Sequence, residues 1–101
     1  MERRHMQELK LTLYVAGRNQ RVERIVAAVH AMLSGCSADP IQLSIVDVLE
    51  SPHIADEHAI LVTPALVRHS PAPVLRIVGD VTDPEHVLPA LGLRLQTAGT
   101  R

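Results

Sequence analysis

The chain has 101 residues, 47% of them hydrophobic, and a net charge of −1. That is enough for one domain burying roughly 60 to 70% of its unfolded surface and too little for two. The ten basic residues are scattered, which excludes a phosphate-tracking stripe; no apolar run reaches the ~20 residues of a membrane span; a single cysteine, Cys36, excludes any internal disulfide or cysteine-pair motif. Residues 9 to 16 alternate apolar with polar before Gly17, as a half-buried strand does. Asn19 is an N-cap for a helix whose apolar positions, Val22, Ile25, Val26, Val29, Met32 and Leu33, recur at helical spacing until Ser34-Gly35. After Asp39-Pro40, the β-branched run from Ile41 to Leu49 carries apolar side chains on both faces and reads as a central strand. Strand, helix, strand of these lengths implies a right-handed parallel crossover. Ser51-Pro52 opens one or two helical turns ending near Ala59. Strands at 65–69 and 74–78 follow as an antiparallel hairpin around Ser70-Pro71-Ala72-Pro73, and Thr82-Asp83-Pro84-Glu85 starts a last helix.

The end of the chain supports two readings. Pro89 interrupts a helix interior at a cost of about 3 kcal/mol. Leu91 to Gln96 alternates as a strand, yet Val87, Leu88, Leu91 and Leu95 also share one helical face. The expected architecture is a single α/β domain over residues 9–96, between flexible segments 1–8 and 97–101. Its order is β-α-β-α-β-β-α, or alternatively β-α-β-β-α-α-β with residues 90–96 as the final strand.

Thr63-Pro64 at the head of a strand resembles the place where thioredoxin-like proteins put a cis proline, which in those enzymes lies against reactive cysteines. No cysteine pair exists here to meet it, and Cys36 follows the first helix rather than the first strand. Function is therefore sought in surfaces and conformations rather than in redox chemistry.

LTLYVAG at 11–17, IVDVLESP at 45–52, ILVTPAL at 60–66 and RIVGD at 76–80, with the VLPALGL that follows, resemble the KaiB family over residues 9 to 96. The resemblance implies a non-enzymatic regulator that binds the hexameric ATPase KaiC, and in cyanobacteria helps sequester KaiA and engage histidine kinases; no cofactor is expected, and the lack of a membrane span or apolar signal core, with a single cysteine, reads as cytoplasmic. It further implies two interconverting folds: a self-associated ground state, tetramer or dimer, and a thioredoxin-like monomer that binds partners. Thr63, Pro64, Pro71, Pro73, Gly79, Asp80, Pro89, Ala90 and Gly92 lie in the half that would exchange. Each of Pro64, Pro71 and Pro73 is either a source of slow exchange or ordinary turn punctuation. The chain departs from the family pattern at Arg18-Asn19-Gln20-Arg21, at the single Ala72 within the proline run, and in lacking an acidic tail, so KaiA binding is not carried over.

Other groups have bland alternatives. The histidines show no zinc spacing and read as surface residues. Asp47 is either a functional carboxylate or an acid satisfied by backbone donors. Arg68 and Arg76, on neighbouring strands, form either a paired positive surface for an acidic partner or two solvated side chains. A constitutively thioredoxin-like adaptor and a redox protein using Cys36 are the alternatives to a switching regulator.

Overall fold

A computed structural model describes residues 8–36, 40–60 and 62–93. Its elements run β1 (Leu9–Val15), α1 (Gln20–Ser34), β2 (Ile41–Asp47), α2 (Pro52–Glu57), β3 (Ala65–Ser70), β4 (Leu75–Val78) and α3 (Pro84–Leu91). This is the thioredoxin-like order. The sheet reads β2-β1-β3-β4, with β1 parallel to β2 and antiparallel to β3, and β3 antiparallel to β4.

Local chemistry sets most of the boundaries. The Asn19 side chain accepts the Val22 N–H at 2.9 Å and starts α1, while Asp83 accepts the Glu85 N–H at 3.0 Å and Pro84 takes the first turn of α3. At the other end of α3, Gly92 adopts φ 76°. The Gly92 N–H bonds the Pro89 carbonyl and the Leu93 N–H the Leu88 carbonyl. This double reversal closes the helix with a left-handed residue, and Leu93 packs back onto the core. The described part of the 90–96 segment is therefore helix end and cap rather than strand; residues 94–96 lie outside the described residues.

The sheet has two unequal faces. Leu11, Leu13 and Val15 of β1, Leu66 of β3 and Ile77 of β4 join α1 and α3 in the main core. The opposite face holds a smaller cluster of Tyr14, Ala65 and Val67, with Val46, Val48, Ile54 and Ile60 against it. Cys36 is buried in the main core, its thiol donating to the Met32 carbonyl at 3.4 Å. Two expectations reverse here. The alternating β1 is the strand covered on both faces, since Thr12 and Tyr14 are buried beneath the second cluster's side. The apolar β2 is an edge strand with half-exposed side chains. Periodicity reports which residues prefer cover, but strand order decides which strand receives it.

Candidate functional site

Strand alternation distributes the sequence's candidates over three places. Thr63 and Pro64, at the head of β3, and Gly79 and Asp80, after β4, come together at one end of the sheet. Pro71 and Pro73 lie in the β3–β4 turn at the other end, and Pro89, Ala90 and Gly92 belong to α3 and its cap. The Thr63-Pro64, Ser70-Pro71 and Ala72-Pro73 peptide bonds are cis.

At the first end, Pro64 forms the wall between two shallow hollows. One, of about 150 Å³, is bounded by Ala16, Asn19, Val22 and Thr63. The other, of about 390 Å³, is bounded by Arg21, Ile25, Asp80 and Thr82. The loop of residues 16–19, which crosses this end, is held by Asp47. One of its carboxylate oxygens accepts the Gly17 N–H at 2.8 Å and the Leu49 N–H at 2.9 Å. The Gly17 bond above all holds the Asp47 carboxyl below the usual range. Asp47 is thus the acid satisfied by backbone donors. Gly17 sits at φ 83°, a turn that favours glycine. Arg18 makes a two-point pair with Glu23, at 2.6 and 2.9 Å, which lowers the Glu23 carboxyl. Asp80 accepts both the Thr82 N–H and its hydroxyl, and the hydroxyl bond in particular holds its carboxyl low.

The loop and its neighbours supply amides, the hydroxyls of Thr63 and Thr82, carboxylates and guanidinium groups, but no thiol or imidazole. Cys36 lies just beyond the C-terminal end of α1, whereas Pro64 meets residues near the N-terminal end of that helix.

Arg68 and Arg76 do not form a pair. The β3–β4 register sets Val67 opposite Arg76 and Arg68 opposite Leu75, so the two arginines project from opposite faces. Arg68 turns to the α3 side and donates to the carbonyls of Pro73 at 3.0 Å and Leu91 at 3.3 Å. Its Nε is buried with no hydrogen-bond partner among the described residues. Arg68 therefore joins the β3–β4 turn to the carbonyl end of α3, linking the second and third groups of candidates. Arg76 is exposed on the α2 side and donates to the Ala59 carbonyl at 2.9 Å.

That α2 side holds groups that the sequence pattern left as scattered histidines. His69 Nε2 lies 3.0 Å from the Thr12 hydroxyl, and the His58 ring stands 6.0 Å from that of His69 and 6.4 Å from Tyr14. Burial, then the neighbouring His58 and Arg76, hold His69 below the ordinary histidine range, while burial raises the Tyr14 phenol. The signal for this cluster was parity: residues 12 and 14 on β1, 67 and 69 on β3 and 76 on β4 share a face once the register is known. Among the described residues no group of three or more His, Cys, Asp or Glu could hold a metal, and no helix is long and apolar enough to cross a membrane.

Comparison with known proteins places this geometry. The KaiB domain family model matches residues 12–93. Circadian clock protein KaiB3 of Synechocystis is 36% identical over 94 residues, covering 93% of this chain and 90% of the relative. The circadian clock oscillator protein KaiB of Prochlorococcus marinus (strain MIT 9211) is 41% identical over 83 residues, covering 82% and 73%. Among solved structures, the N-terminal domain of Synechococcus elongatus SasA superposes with a TM-score of 0.73 at 28% identity, covering 100% of this chain and 96% of that one. Mitochondrial thioredoxin 3 of Saccharomyces cerevisiae shares the fold, with a TM-score of 0.64 at 18% identity over 83% of this chain and 76% of that one.

Proposed function

Because the chain belongs to the KaiB family, we propose that it is a non-catalytic cytoplasmic regulator that binds a KaiC-type hexameric ATPase and helps to time circadian or stress-related signalling. The observation that carries this reading is the Pro64 end of the sheet. It keeps a thioredoxin-like shape, while the residues bounding it offer no thiol and the one cysteine is buried elsewhere.

The regulation proposed is a population shift between this fold, monomeric and partner-binding, and a self-associated ground state in which residues 90–96 form a strand. The alternation of Leu91-Gly92-Leu93-Arg94-Leu95-Gln96 supports it, as does Pro89 inside α3. A partner that binds only one fold draws the equilibrium towards it, and moving a 1:99 mixture to 99:1 takes a differential affinity of about 10⁴. Thr63, Pro64, Pro71, Pro73, Gly79, Asp80, Ala90 and Gly92 are the residues assigned to that change.

A second reading, a constitutive adaptor acting with a histidine kinase, is supported by the likeness to the SasA N-terminal domain along the whole chain. Two measurements separate the readings. Titration of a KaiC-type hexamer should give a larger complex by light scattering, and its absence at micromolar concentrations refutes the regulator. Backbone resonances of residues 60–96 should show two exchanging sets. One set at every temperature and concentration leaves the adaptor.

A further inference from the structure

The sheet face beneath α2 is only half covered. α2 has six residues, and the small cluster it closes with Ile54 includes Tyr14, Ala65 and Val67. Besides Val46 on β2 and Val78 on β4, the remaining strand residues of that face are polar or basic: Lys10 and Thr12 on β1, Gln42 and Ser44 on β2, His69 on β3 and Arg76 on β4. Lys10, Gln42, Ser44 and Arg76 are exposed, as is His58 beside them. No Asp or Glu stands on the strands of this face; Glu8 precedes β1, and Asp56 and Glu57 are exposed on α2.

We propose that this face docks an extended acidic protein segment carrying one aliphatic side chain. An apolar hollow beside the basic groups argues for a peptide over a single anion, which has no side chain to place in it. Arg76 lies two strands from Thr12 and Lys10 two residues along β1, so their backbone positions are separated by roughly 12 Å, from strand spacings of about 4.8 Å and rises of about 3.4 Å. Alternate side chains of an extended chain recur about every 7 Å, so acids four residues apart stand about 14 Å apart, near that separation. Acids at positions i and i+4 thus meet Arg76 and Lys10, and the charge complementarity steers their encounter. The aliphatic side chain has a place beside Arg76. A hollow of about 180 Å³ there is lined by Ala59, Ile60, Val62, Ala65 and Val78, of which Val62 is 55% and Val78 52% exposed. Arg76 borders both the hollow and the basic face, so it fixes where apolar contact ends and charge begins.

This inference rests on the regulator reading only in taking the ligand to be a protein. The test is an amide NMR titration of the full chain with a ten-residue peptide of alternating glutamates around one leucine. Expected are shifts at residues 60, 62, 67–69 and 76–78, with affinity falling about tenfold in Lys10→Glu and in Arg76→Glu and unchanged in Arg24→Glu on exposed α1. Equal binding of the glutamine version, shifts on other faces, or insensitivity to both reversals overturns the proposal. So does stronger binding of a ten-nucleotide single strand at the same residues, or a concentration-dependent shift of this face without peptide, which would assign it to nucleic acid or to a second copy. If a KaiC-type ATPase binds while the peptide fails, only this docking face is lost. If the peptide binds and the ATPase does not, the partner is what changes.

Discussion

Ala59 and Gly92 occupy the same structural position with opposite chemistry, and exchanging them measures what ends a helix in this fold. After α2, Ala59 takes φ 54°, its N–H bonds the Asp56 carbonyl and the Ile60 N–H bonds the Ala55 carbonyl. After α3, Gly92 takes φ 76° with the equivalent pair of bonds. A left-handed conformation costs an L-residue about 1–2 kcal/mol because Cβ crowds the following carbonyl. Removing a glycine also reduces unfolded-chain entropy, which returns about 0.4–1 kcal/mol. An added Cβ at Gly92 meets nothing within 4 Å, so the backbone alone sets the penalty there. Gly92→Ala should therefore lose, and Ala59→Gly gain, about 0.5–1 kcal/mol, equivalent to about 2–8 °C in Tm for a domain of this size. Urea unfolding with an unchanged m-value is the assay. If a fold with residues 90–96 extended coexists, the unfolded-chain term cancels between the two folds, the full 1–2 kcal/mol remains, and Gly92→Ala should raise that fold's population ratio about five- to thirtyfold. Equal signs for the two variants, or a stabilised Gly92→Ala, would refute the reasoning.

Pro89→Ala restores a donor to the Glu85 carbonyl within α3, and should stabilise the fold by about 1–3 kcal/mol and shift any oligomer towards monomer. An unchanged melting curve and hydrodynamic radius would contradict it. Arg68→Met should cost about 2–3 kcal/mol, because two carbonyls lose a charge-assisted donor, and Arg68→Lys should recover only part of this, since lysine lacks the planar fork. Denaturant midpoints of the three proteins check the order. His69 has a depressed folded pKa, so unfolding takes up a proton, and stability should fall as pH drops from about 6.5 through that lower value. His69→Gln should flatten this part of the profile. Asp47, Glu23 and Asp80 are also depressed relative to the unfolded chain, so their contribution, present above about pH 4.5, should be lost at lower pH as each is protonated in the fold. Asp47→Asn should reduce that acid limb.

The elements themselves were legible because their signals are local. A capping amide at Asn19, a carboxylate and proline at Asp83-Pro84, and prolines flanking the β3–β4 turn act within a few residues of the boundaries they set. The fate of the tail was less so, because Leu91 to Gln96 satisfies both periodicities. The Gly92 reversal ends α3 at Leu91 and returns Leu93 to the core, so the described part of that tail is helix end and cap.

What the sequence determined by itself was the β-α-β opening, the lack of a cysteine pair to meet Pro64 and the family motifs, with the order of the second half left between two arrangements. Tertiary structure alone decided which strand is central and which arginine serves which face. Strand order and register are long-range choices: β1 becomes the covered strand because β2 and β3 flank it, whatever its own alternation. A one-residue offset between Arg68 and Arg76 across the hairpin sends one to lock α3 and the other to a basic face. Two side chains of like chemistry acquire different roles because the pleat has a period of two residues.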